Sequence, residues 1–114
     1  MGKRNTARKL AMQALYQHQI QKGHEDEILE YTLNKDSYIG ETKDFATHLF
    51  YGVLKHSDYI DQLITDFAID WKLDRIAGID KAILRVAIWE LLFTETSVKV
   101  VIAEAIELIR KYSV

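Results

Sequence analysis

The stretch DKAILRVAIWELLFT, residues 80–94, decides the fold. Read at helical period, Ile83, Leu84, Val86, Ala87, Ile88, Leu91 and Leu92 occupy most of its circumference. A helix that is apolar nearly all round has to pack on several sides, so this segment predicts the centre of a helical bundle. Gly78 marks the break before it. Downstream, Ser97 is placed to cap a last helix over about 98–112, with a wide stripe of Val98, Val101, Ile102, Ala105, Ile106 and Ile109. Residues 98–102 are β-branched apart from Lys99 and would suit a strand. A lone strand has nothing to pair with, and the helical period continues from Ala103 to Lys111, so the segment reads as helix.

Upstream, the same period recurs. A first helix is expected from Asn5 or Thr6, either of which could cap it, to about Gln21, with Gly23 ending it. Its apolar face is Ala7, Leu10, Ala11, Ala14, Leu15 and His18. A short helix near 25–33 uses Ile28, Leu29 and Leu33, and a loop follows to Gly40. A third, over about 43–55, has a stripe of Phe45, Leu49, Gly52, Val53 and His56. Ser57 then reads as the cap of a fourth, over about 59–70, burying Ile60, Leu63, Ile64 and Phe67. There is no proline, where average usage would give about six, as suits helices with short connections. The expectation is one all-α domain, a bundle of about six helices around a central apolar one.

Composition narrows the function. With 114 residues and 48% hydrophobic content the chain is one domain with a real core. Without cysteine there is no disulfide, zinc–thiolate site or catalytic thiol. No run approaches the roughly 18 apolar residues of a membrane span. The four histidines, His18, His24, His48 and His56, show no metal-ligand spacing and read as packing or surface residues. No glycine-rich phosphate loop is present, and no nucleophile stands at readable spacing from a base. Nothing in the residues argues for an enzyme, a metal or a cofactor.

Charge is spread unevenly. Residues 1–24 carry five Lys/Arg and no acid, whereas the rest carries ten Lys/Arg against seventeen acids; the total is −2. A cationic end on an anionic chain points to a polyanionic partner. Within it, Arg8, Met12 and Tyr16 make an i, i+4, i+8 ridge. Arg8 and Tyr16 lie about 12 Å apart along the axis, which suits a phosphate contact and a stacked base of one extended single strand. Two other readings stay open. Four cations near a terminus can simply be a solvated surface, and a basic amphipathic helix can lie on a membrane. The second fits poorly, because the apolar face is mostly alanine and lacks Trp or Phe.

Four stretches carry a family resemblance. ARKLAMQALYQHQ (7–19), FATHLFYGVLKHSDYIDQLI (45–64), WKLDRIAGIDKAILRVAIWELLF (71–93) and VVIAEAIELIRKY (100–112) resemble, in order, segments of the bacterial transcription antitermination factor NusB family. The most specific is the central D/E-K-A-I-L-R run. The resemblance implies an all-helical, cytoplasmic, non-enzymatic protein. With the ribosomal protein NusE it would bind the boxA element of nascent RNA. Joined to RNA polymerase and other Nus factors, it would suppress termination, notably on ribosomal RNA operons. It also implies that Arg4 and Arg8 fall on basic positions of an RNA-touching helix, Tyr16 on its aromatic, and Asp80 on an acid facing NusE. Lys3 adds charge to the RNA-binding set without matching a motif position, as does Lys9.

The chain departs from the family pattern in several places. Asn5 and Thr6 stand where some relatives have arginines, so the cluster is thinner. The usual proline before the last helix is missing, and the family's I-N-E-A is Ile102-Ala103-Glu104-Ala105. The family continues into a further helix bearing F-V-N-G, whereas this chain stops at Val114. If that helix is absent, apolar residues of the fifth and last helices should be exposed, favouring a homodimer or lower stability. Two rival readings remain at this point. One is an RNA-targeting domain of a ribosomal RNA cytosine methyltransferase, which would need a downstream Rossmann-type domain of which there is no trace. The other is a helical interaction module without RNA.

Overall fold

The computed structural model describes residues 3–67 and 76–113. These form six helices and no strand: α1 (Lys3–Ile20), α2 (Glu25–Asn34), α3 (Gly40–Lys55), α4 (Ser57–Phe67), α5 (Gly78–Phe93) and α6 (Val98–Tyr112). The all-α expectation holds, including the helical reading of 98–102. The expected end of the fourth helix, 68–70, and residues 71–75 of the central quoted stretch lie outside the described residues.

α5 is central: it packs against α1, α3, α4 and α6. α1 is a second hub, enclosed by α2, α3 and α5. Its small residues permit this, since Ala7, Ala11 and Ala14 are wholly buried and let neighbouring backbones come close. Leu10 and Met12 of α1, Leu49 and Phe50 of α3, Ile60 of α4 and Ile83 of α5 complete a continuous core.

Several helix ends differ from expectation. α1 begins at Lys3, so Asn5 and Thr6 lie inside it and do not cap it. Lys3 and Arg4 are good helix formers, and both are anchored on α3, which holds the first turn. Gly78 opens α5 instead of breaking the chain before it. The reason is Tyr16: a Cβ at position 78 would lie 2.7 Å from its ring. Ser57 is the first residue of α4 and not its cap. Between α1 and α2, Gly23 and His24 both adopt positive φ, at 85° and 59°, and together reverse the chain.

The last helix is half right. Ser97 caps it as expected, its hydroxyl accepting from the Val100 N–H at 3.2 Å. Ser97→Ala should therefore lower stability by about 1 kcal/mol, read as a lower urea midpoint at unchanged slope. Its wide stripe, however, is not a core face. Only Val101 and Leu108 are buried, while Val98, Ile102, Ile106 and Ile109 are exposed. α6 sits at the edge of the bundle, packed chiefly on α5, so half its apolar surface meets no neighbour. Leu91, Leu92 and Phe93 at the end of α5 are exposed beside it.

Candidate nucleic-acid interface

The amino end of α1 lies across the first half of α3. Lys3 Nζ donates to Glu41 Oε1 at 2.8 Å, and both side chains are well exposed. This bond holds the Glu41 carboxyl below its usual range. The contact thus persists at neutral pH and opens only as pH falls below the usual glutamate range. One residue on, the Arg4 guanidinium lies over the Phe45 ring, 4.3 Å from its centroid. With Asp44 and His48 these residues surround an open recess of about 490 Å³. The His48 ring stands edge-on to Trp89 at 5.0 Å, which fixes that wall.

Arg8 does something else. It is 3% exposed, and its guanidinium is forked onto Glu90 of α5: Nε donates to Oε1 at 2.7 Å and Nη2 to Oε2 at 2.6 Å. Glu90 is itself 1% exposed. Glu104 of α6 stands 3.8 Å from the third nitrogen, and the Asn5 amide can donate to that same carboxylate at 2.7 Å. The expected phosphate contact from Arg8 is therefore corrected: this cation ties α1 to α5 and α6. Met12, next on the supposed ridge, is wholly buried. The Arg8–Met12–Tyr16 line is thus an interior seam and not an outward track. α1 is enclosed on three sides, so only a narrow strip of it meets solvent.

Tyr16 is half-buried and leans on Gly78, while Gln19 of the same helix donates to the Gly78 carbonyl at 3.0 Å. Asp80, two residues further along α5, is half-buried, and among the described residues its Oδ1 has no hydrogen-bond partner. Tyr16 and Asp80 thus belong to one corner of the molecule. Lys3 and Arg4 belong to another, about 18 Å away along the α1 axis. Tyr16 also borders a groove of about 660 Å³ between α1 and α2, walled by Gln13, Gln17, Ile28, Tyr31 and Lys35.

Sequence reasoning missed two residues here. Phe45, on the expected stripe of the third helix, packs only partly against the core and forms the floor under Arg4. Glu90 was passed over, although an acid inside an otherwise apolar run is itself a signal of a buried partner. Among the described residues no cluster of His, Asp or Glu could hold a metal ion, and no helix is long and apolar enough to cross a membrane.

Comparison with known proteins agrees with this architecture. The family model described as "NusB family" matches residues 5–114. The transcription antitermination protein NusB of Bacillus subtilis (strain 168) is 40% identical over 111 residues, spanning 96% of this chain and 82% of that protein. A crystal form of T. maritima NusB superimposes with a TM-score of 0.89 at 32% identity, covering 97% of this chain and 79% of that one. The fold is also shared with a chain in a crystal structure of the antitermination factors NusB and NusE in complex with dsRNA. There the TM-score is 0.87 at 22% identity, over 96% of this chain and 83% of that one. The chain belongs to the NusB family.

Proposed function

We propose that this chain is a transcription antitermination factor. It binds boxA-type RNA together with NusE and helps RNA polymerase, with other Nus factors, to read through terminators, notably in ribosomal RNA operons. It works by assembly and not by catalysis, and its place of action is the cytoplasm. The observation that carries this reading is the 40% identity to a named antitermination protein over nearly the whole chain. Lys3 and Arg4 support it from the structure, as exposed cations on the helix end that the family resemblance assigns to RNA. Asp80 is proposed to face NusE, and Tyr16, half-buried in the same corner, to stack a base of the RNA. The methyltransferase reading loses ground, because the relative matched at 40% identity over nearly the whole chain is named for antitermination.

A gel-shift with single-stranded boxA RNA, with and without NusE, tests the assignment. Affinity should rise strongly when NusE is added, and unchanged affinity would count against it. A duplex of the same sequence serves as the comparison arm. With Arg8 withdrawn from the surface, about two phosphate contacts remain. The log–log salt slope should therefore be roughly −1.4 for a single strand. Replacing Lys3 and Arg4 together by alanine should flatten it toward zero, and an unaltered slope would remove these two residues from the interface.

A further inference from the structure

The recess between α1 and α3 has a composition that a simple phosphate site would not. Its two cations, Lys3 and Arg4, face two carboxylates, Glu41 and Asp44. Lys3 is engaged with Glu41. Arg4 lies on Phe45, and among the described residues Asp44 makes no side-chain hydrogen bond. What remains available is a guanidinium laid on a phenyl ring, a free carboxylate beside it, and a histidine wall held by Trp89. The set suits more than a phosphate alone: the Arg4 guanidinium can turn its N–H edge to the backbone while its face and the neighbouring carboxylate are left for a base. Together they suit a flat, uncharged ring with N–H donors on its edge. Unstacked bases of single-stranded RNA are held on aromatic rings and on arginine planes in this way. The volume, about 490 Å³, lies within the range of small-ligand sites, roughly 300–1,000 Å³.

We propose that this recess takes one splayed base of the bound RNA on the Arg4–Phe45 stack, with Asp44 reading its edge and favouring guanine. The proposal rests on the RNA-binding reading above. Guanine offers two adjacent donors, N1–H and the N2 amino group, which match the two oxygens of a carboxylate. Uracil offers one N–H flanked by two carbonyl oxygens, which a carboxylate opposes. Lys3, at the rim, can leave its exposed Glu41 contact for the neighbouring phosphate at little cost, because surface pairs are weak.

Fluorescence anisotropy tests this with two single-stranded RNAs: one guanine in a pyrimidine background, and the same strand with inosine, which lacks the N2 amino group. The unaltered protein should bind the inosine strand about tenfold more weakly, the loss of one charge-assisted hydrogen bond. Asp44→Asn should abolish that difference. Phe45→Leu should weaken both strands about tenfold at unchanged salt slope, since a stacking platform and not a charge is lost. Asp44 is exposed, so its replacement does not threaten the fold. Guanine and inosine strands bound equally by the unaltered protein, or Asp44→Asn retaining the preference, would overturn the recess. Failure of the unaltered protein to bind any strand would overturn the RNA reading itself.

Discussion

Arg8→Ala should lower the stability of the fold by about 3–5 kcal/mol, a large share of what a domain of this size possesses. The substitution leaves Glu90, 1% exposed, without the cation that accepts its charge. Both Glu90 oxygens lose a hydrogen bond shorter than 2.8 Å. Removing both members is a different experiment. Arg8→Met with Glu90→Met replaces a buried ion pair by apolar groups of similar length, and such exchanges are often neutral or stabilising. Urea unfolding of the single and double variants measures the contrast. If Arg8→Ala unfolds at the midpoint of the unaltered protein, the pair is not the buried clamp described above. The experiment also separates roles: the double variant, still folded, should keep its RNA affinity, because Arg8 no longer counts among the phosphate contacts.

The second large effect lies where α3 meets α5. Trp89 is 4% exposed, and its indole fills the space that a side chain at Gly52 would need; a Cβ there would sit 2.4 Å from the ring. Trp89→Ala should cost about 3–5 kcal/mol through lost burial and the cavity left behind. Gly52→Ala should also destabilise, by about 1–3 kcal/mol, because a packed ring has to move off its site. Combined, the two should not add. With the indole gone, alanine at 52 meets no clash and gains the roughly 1 kcal/mol by which alanine exceeds glycine in a helix. Gly52→Ala thus changes sign with its background, destabilising beside Trp89 and stabilising beside alanine. A thermodynamic cycle from denaturant melts reads this directly, and simple additivity would refute the contact.

Helix number, class and centre were legible in the sequence because apolar spacing along each segment reports burial. The capping serine at 97 was equally plain. What the spacing does not report is how many neighbours a helix has. Residues 98–112 show a broad apolar stripe, yet α6 stands at an edge, and Ile102 and Ile106 meet solvent. Conversely, α1 looks like a surface helix with one alanine face and is enclosed on three sides. That misjudgement moved Arg8 and Met12 from the interior to an imagined outer ridge. Arg8 in an alanine-rich run and Glu90 in VAIWELLF are each odd locally; only their distance of 82 positions hid that each explains the other. For the candidate site, Lys3 and Arg4 were visible as charge. Phe45 was not, since an aromatic on an i, i+4 stripe looks the same whether a neighbouring helix or an arginine covers it.

The Arg8–Glu90 clamp bears on how the molecule is made. Its two halves leave the ribosome 82 residues apart, which at roughly 5–20 residues per second is on the order of ten seconds. Throughout that interval the Arg8 guanidinium is satisfied only by water, and burying it without Glu90 would leave it unpaired. The amino-terminal helix therefore stays undocked until the carboxyl-terminal third has been synthesised. A chain halted before Glu90 has emerged from the ribosome should stay in a state that proteases and chaperones can reach, whereas one halted after both partners have emerged should hold the clamp.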